Sequence, residues 1–234
     1  MRLPPAPPGL ASTRDSLHRV AEAVLSARRV EATGNEIALT VRDGAVATPD
    51  LPGGGWVGIR DSELIHVSPA GDQTRGPLTT LQAAARAAGL NAWADLDDAP
   101  LAIDHDAAAF LTVAYTFAAE VLGALRDEAS SEADPSPLRL WPEHFDIAYE
   151  EGDEAAGRRA GFGFSPGDEH HSEPYAYVGP WVAPEPGPLW TATGFTGAQL
   201  DWEQIAAAED PGECVLAFWR SRREALVTAP GAAA

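Results

Sequence analysis

The chain contains no lysine. All 16 of its basic residues are arginines, set against 35 acidic residues, for a formal charge of −19. Without lysine there is no Schiff-base amine, no anchor for pyridoxal phosphate and no phosphate-gripping lysine of a P-loop. Arginine stays protonated and does not act as an amine nucleophile in its place. A field of this sign repels phosphate backbones and anionic lipid, so neither nucleic acid nor a membrane surface is expected as a partner. Cysteine is nearly absent too. Cys214 stands alone, which excludes an internal disulfide and any all-cysteine metal site. It lies in the apolar run "CVLAFW" and reads as a buried, inert thiol. The opening "MRLPPAPPGLAS" lacks the apolar core of a secretory leader. The longest apolar run, Ala107–Leu125, carries Glu120 and is richer in alanine than in leucine, which favours a buried helix over a membrane span. These features predict a cytoplasmic protein. The abundance of Ala, Gly, Pro and Arg is that of a high-GC bacterial genome.

What is present is enough for a core. The 234 residues are 45% hydrophobic, with 22 glycines and 20 prolines that imply many turns. Residues 1–11 read as a disordered or docked tail, 12–228 as a single α+β domain, and 229–234 as a disordered tail. The polar, acidic stretch 127–137 reads as a linker that could divide the domain into two subdomains. "STRDSLHRVAEAVLSARRV" has Leu17, Val20, Ala21, Val24 and Leu25 at helical spacing, with Ser12 and Asp15 placed as a capping box. Ile37, Leu39 and Val41 alternate as in a half-buried strand. "WVGIR" and "ELIHVS" flank Asp61-Ser62 as a hairpin. "PLTTLQAAARAAGL" reads as a helix opened by Pro77 and stopped by Gly89. Phe110, Val113, Ala114, Phe117, Val121, Leu122 and Leu125 form the stripe of one long buried helix near 106–126. After the linker come strands, "EHFDIAYE", "RAGFGFS", "PYAYVG" and "LWTATGF", then helices in "QLDWEQIAAA" and "ECVLAFWRSRREAL". The fold class is α+β: an antiparallel sheet, a meander in the second half, with segregated helices.

The candidate site follows from that meander. Alternation puts Phe145, Ile147 and Tyr149 on one face of their strand, with His144 and Asp146 opposite. Phe162 and Phe164 share a face, leaving Gly161 and Gly163; Tyr175 and Tyr177 share another. Glycine in a strand marks close approach by something else, either a covering helix or a ligand. The turn "SPGD" sends the loop "SPGDEHHSE" out beside His144. We therefore expect His144, Asp146, Asp168 and His171 to line one pocket, with Tyr175 or Trp181 at its rim. His144, Asp146, His170, His171 and Glu173 are acceptable donors for a divalent metal, but they match no metal motif in spacing. Adjacent His170 and His171 cannot both point inward from an extended chain. His144 oriented by a carboxylate would serve general acid–base chemistry. Ser165 precedes a proline in a turn and is a poor nucleophile. His105, between Asp104 and Asp106, is explained by helix capping.

"TRDSLH", "LWPEHFDIA" and "GFGFSPGD…EPYAYVGPW" together resemble an uncharacterised bacterial domain-of-unknown-function family. Its members carry a Thr-x-x-x-Leu-His helix, a His-Phe-Asp or Ser-Phe-Asp strand and a Gly-Phe-x-Pro-Gly-Asp turn, followed by an aromatic strand ending in proline. The resemblance spans Thr13 to Trp181. The chain departs from the pattern in the glutamate and histidine between the turn and the Tyr strand, and in its extension from Leu189 to Ala234. It implies soluble α+β architecture and brings no activity with it.

Three functions fit these residues. The favoured one is small-molecule binding at the sheet edge near His144. The second is a metal-assisted or His/carboxylate hydrolase or lyase at the same edge. The third is a protein-interaction module using aromatics such as Trp181 and Trp190. Whether the chain is an enzyme stays open, as does any cofactor other than the excluded pyridoxal phosphate. The acidic surface opposes self-association and predicts a monomer or weak dimer.

Overall fold

The computed structural model describes residues 2–35 and 38–228. Ile37 and the tail at 229–234 lie outside them. The strands form two antiparallel five-stranded sheets with helices segregated from them; strand β6 is Arg139–Trp141. The class is α+β, as expected. The chain divides into two compact units, an N-terminal one of Pro7–Thr116 with Arg139–Phe145, and a C-terminal one of Met1–Ala6, Phe117–Leu138 and Asp146–Ala234. The division falls inside the long helix, between Thr116 and Phe117, whereas the whole acidic 127–137 stretch belongs to the C-terminal unit.

The N-terminal unit opens with α1 (Leu10–Val20), a π-helical turn (Ala21–Ser26) and α2 (Ala27–Thr33). Leu17, Val20, Ala21, Val24 and Leu25 are all buried, as their spacing predicts. The capping box does not form. The helix starts one turn earlier, after Gly9 at φ 79°, with no side chain accepting from its first amides; the Ser12 hydroxyl donates back to the Gly9 carbonyl instead. Strands β1 (Thr40–Arg42) and β2 (Ala45–Ala47) meet at Asp43-Gly44, both at positive φ, 49° and 73°, the geometry of a two-residue hairpin. β3 (Trp56–Arg60) and β4 (Glu63–Val67) pair across Asp61-Ser62 as expected. β5 (Gln73–Pro77) is an additional edge strand. Pro77 ends it rather than opening a helix. That helix, α3 (Leu81–Ala87), is capped by Thr80, whose Oγ1 accepts the Ala83 amide at 3.1 Å.

The long helix is α4 (His105–Asp127), capped by Asp104, which accepts the Ala107 amide at 2.9 Å. Its stripe is buried except for Val113, which is exposed. Among the described residues it is the one helix long and apolar enough to cross a membrane, and 56% of that apolar window is buried within the protein.

In the C-terminal unit, the stretch after α4 is tied along β7 by the Gly152 amide on Ala133 O at 2.7 Å and the Ser136 amide on Glu150 O at 2.8 Å. β7 (Asp146–Glu151), β8 (Ala160–Ser165) and β9 (Tyr175–Pro180) form the expected antiparallel meander. β10 (Ala198–Asp201) extends it, in a segment whose pattern reads as helix; "LWTATGF" before it is irregular. α5 (Trp202–Ala207) and α6 (Pro211–Thr228) follow. The register, Ile147 to Phe164 to Ala176 and Tyr149 to Phe162 to Val178, builds an apolar face. Trp202 packs edge-on against Phe164 and Phe117 there. Arg223 reaches the same face from α6, bonding Glu151, Tyr149 Oη at 2.9 Å and Leu125 O at 2.8 Å. The N-terminal residues are docked in this unit: Leu3 is buried and Pro4 O accepts from Trp202 Nε1 at 2.9 Å.

Candidate functional site: the tyrosine face of the C-terminal sheet

The same register sets the other face. Ala148 pairs with Gly163, Gly163 with Tyr177, and Tyr177 with Gln199; Ser165 pairs with Tyr175, and Tyr175 with Asp201. The tyrosines thus lie opposite the phenylalanines of β8, not beside them. What approaches Gly163 is neither a helix nor a ligand but the Tyr177 ring, which any Cβ there would overlap. Tyr177 crosses the small residues to donate its hydroxyl to Asp146 Oδ2. Tyr175 donates to Asp168 Oδ2 at 2.7 Å.

Asp168 organises the loop between β8 and β9. Gly167, at φ 96°, turns the chain, and Asp168 Oδ1 accepts the His170 and His171 amides at 2.7 and 2.8 Å. Burial pushes the Asp168 carboxyl up, but the Tyr175 hydroxyl, the two amides and the His170 charge outweigh it and hold it below the usual aspartate value. Burial, joined by these carboxylates, raises both tyrosines: Tyr175 through Asp168, Tyr177 through Asp146.

His171 closes the network. Its ring meets Tyr175 edge to face at 5.0 Å. Gln199 Nε2 donates to Asp201 Oδ1 at 2.7 Å and sits 3.2 Å from His171 Nδ1. A donor at that distance makes Nδ1 the acceptor, so the ring proton belongs on Nε2. Nε2 is 3.6 Å from Asp201 Oδ1, too far for a hydrogen bond, and among the described residues it has no other hydrogen-bond partner. Phe195 stacks on Tyr175 and meets Tyr177 edge-on.

Of the expected residues, the fold brings Asp146, Asp168, His171 and Tyr175 onto one face of one sheet. It leaves out the others. His144 is exposed, in a turn of the N-terminal unit before β7 starts. Its expected place opposite Phe145 fails because Phe145 takes φ 55°, which breaks the alternation. Trp181 lies beyond the far end of β9, about 20 Å of strand from Tyr175 at ~3.3 Å per residue, with Arg159 over its ring. His170 and Glu173 are exposed, and the His170 ring lies 3.5 Å from the carboxylate of its neighbour Glu169. Among the described residues no three His, Cys, Asp or Glu side chains gather as metal ligands. Sequence reasoning missed Tyr177, Gln199, Asp201 and Phe195 as members. Gln199 and Asp201, two apart, carry the alternation that could have found them.

Both phenols are committed as donors and held protonated, Asp168 is held as a carboxylate, and Ser165 is buried with its Oγ accepting the Gly167 amide at 3.1 Å. No protein-family model, curated protein or solved structure matches the chain.

Proposed function

We propose that the protein binds a small molecule, without transforming it, at the Asp168–His171–Asp201 end of the tyrosine face. One observation carries the reading. His171 and Asp201 are part-exposed, at 32% and 45% of their side-chain surface, over rings whose polar ends are already committed to one another. A ligand there meets acceptors, the Asp201 carboxylate and the Gln199 carbonyl, and the Phe195 ring. Its matching chemistry is a molecule with hydrogen-bond donors and an apolar flank. Calorimetric titration with sugars, amines and carboxylic acids tests this. The donor-bearing compounds should bind, and His171→Ala with Asp201→Asn should abolish binding while the fold is retained. Binding that survives both substitutions, or none across the panel, rejects the reading.

Trp181 and Val182, 52% and 49% exposed, support a second reading, a protein-interaction module. Trp181→Ser should then weaken association in light scattering. A cytoplasmic monomer or weak dimer that avoids nucleic acid and membranes is consistent with the −19 charge. Membership in the bacterial domain-of-unknown-function family rests on the three motifs alone.

A further inference from the structure

The N-terminal unit holds a cavity of its own. Leu17 of α1, Val46 and Ile59 of the sheet, Leu111 and Tyr115 of α4, and Phe145 line a space of about 10 Å³, room for one water at most. Asp61 and Thr112 also border it. The Thr112 hydroxyl accepts the Asp61 amide at 2.9 Å. An apolar cavity stays dry, and takes up apolar molecules once it is large enough to hold them.

One wall is strained. Phe145 has φ 55°, a left-handed conformation that is an outlier for a bulky side chain. Such residues persist only where their surroundings over-determine them, and they concentrate at ligand clamps and switches. Phe145 is clamped three ways. Its amide donates to Trp141 O at 2.7 Å. Its carbonyl accepts from Tyr115 Oη. Its ring stacks on His18 at 5.3 Å and 6°, and His18 Nε2 in turn bonds Pro142 O at 2.7 Å. Two side chains from two helices thus fix a four-residue turn whose last ring walls an apolar cavity.

We propose that the Pro142–Phe145 turn is a gate, and that its opening admits a small apolar ligand of about benzene size. Relaxing Phe145 to a negative φ swings the ring away from Leu17 and Leu111 and adds its volume to the cavity. Tyr115 and His18 are the positioning residues that keep the gate shut. This site is independent of the tyrosine face, and either can fail without the other.

Benzene is the probe, titrated into the full chain and followed by carbon-detected methyl NMR. Saturable shifts are expected at Leu17, Val46, Ile59 and Leu111. Tyr115→Phe releases the Phe145 carbonyl and should tighten benzene binding about fivefold, the factor of one hydrogen bond applied to the open population. If that variant does not fold, His18→Leu, which loses the bond to Pro142, is measured for the same tightening. The proposal is overturned if no saturable shift occurs, if shifts fall instead on Leu122 and Val178, or if neither variant binds benzene more tightly than the native chain.

Discussion

The two faces of the C-terminal sheet answer one problem differently. Each must cover a surface of small and aromatic residues, and each buries an acidic group. On the face of Ile147, Phe162 and Phe164 the acid is Glu151, 4% exposed, and the answer is a full counter-charge, Arg223. On the face of Tyr175 and Tyr177 the acids are Asp146 and Asp168, and the answer is a pair of neutral hydroxyls. A counter-charge neutralises a buried carboxylate but fixes both partners. A phenol satisfies one lone pair and leaves the acid its charge. The first arrangement makes a core; the second leaves an imidazole and a carboxylate close to solvent at His171 and Asp201.

The largest expected effect lies on the core face. Arg223→Met strands Glu151 without its cation and should cost about 3–5 kcal/mol in denaturant unfolding. A cost below 1 kcal/mol would mean that the counter-charge is dispensable and the contrast between the faces is lost. Next is Gly163→Val, which drives a side chain into the Tyr177 ring, for about 1–3 kcal/mol. The penalty should shrink in a Tyr177→Ala background; equal penalties in both would show that the ring is not what the glycine accommodates. Tyr177→Phe removes the donor to Asp146 and should cost about 1–3 kcal/mol. Tyr149→Phe on the other face should cost less, because Glu151 keeps Arg223. The reverse order would contradict the distinction drawn here.

The smallest effect is a pH dependence. The Asp168 carboxyl is held below its ordinary value, so its contribution is present above the unfolded value of about 4 and is lost as pH falls through the lower folded value. Unfolding of the native chain and of Asp168→Asn should therefore differ above pH about 4 and converge below it. A gap that widens on acidification has the wrong sign.

Period-two alternation in "DIAYE", "GFGF" and "YAYV" made the meander legible in the sequence, and the short connections implied antiparallel neighbours. Alternation within a strand says nothing about its register against the next, and one residue of slip exchanges the faces. The loop between Ser165 and Tyr175 sets that slip, through Gly167 and the Asp168 turn, and so put the tyrosines over Gly163. His144 was misplaced because Phe145 leaves the extended region, a choice dictated by Tyr115 and His18 far away in sequence. β5 was invisible because Gln73–Pro77 is polar and exposed on both sides. β10 reads as helix in "QLDWEQ", and only pairing with β9 makes it a strand. Trp181 looked near the loop because both flank β9, but they flank opposite ends.

The order in which the chain supplies the two units constrains its synthesis. Leu39 and Leu140 exchange both backbone hydrogen bonds, at 2.8 and 3.0 Å, yet Phe117–Leu138 lies between them and belongs to the other unit. On a translating ribosome, everything up to Thr116 emerges while its last partner is still unmade. Phe117–Leu138 of the C-terminal unit follows, then the seven residues Arg139–Phe145 that complete the N-terminal unit. Until Phe145 clears the exit tunnel, the nascent chain carries two unfinished cores at once. The net charge of −19 makes neighbouring nascent copies repel one another over that interval.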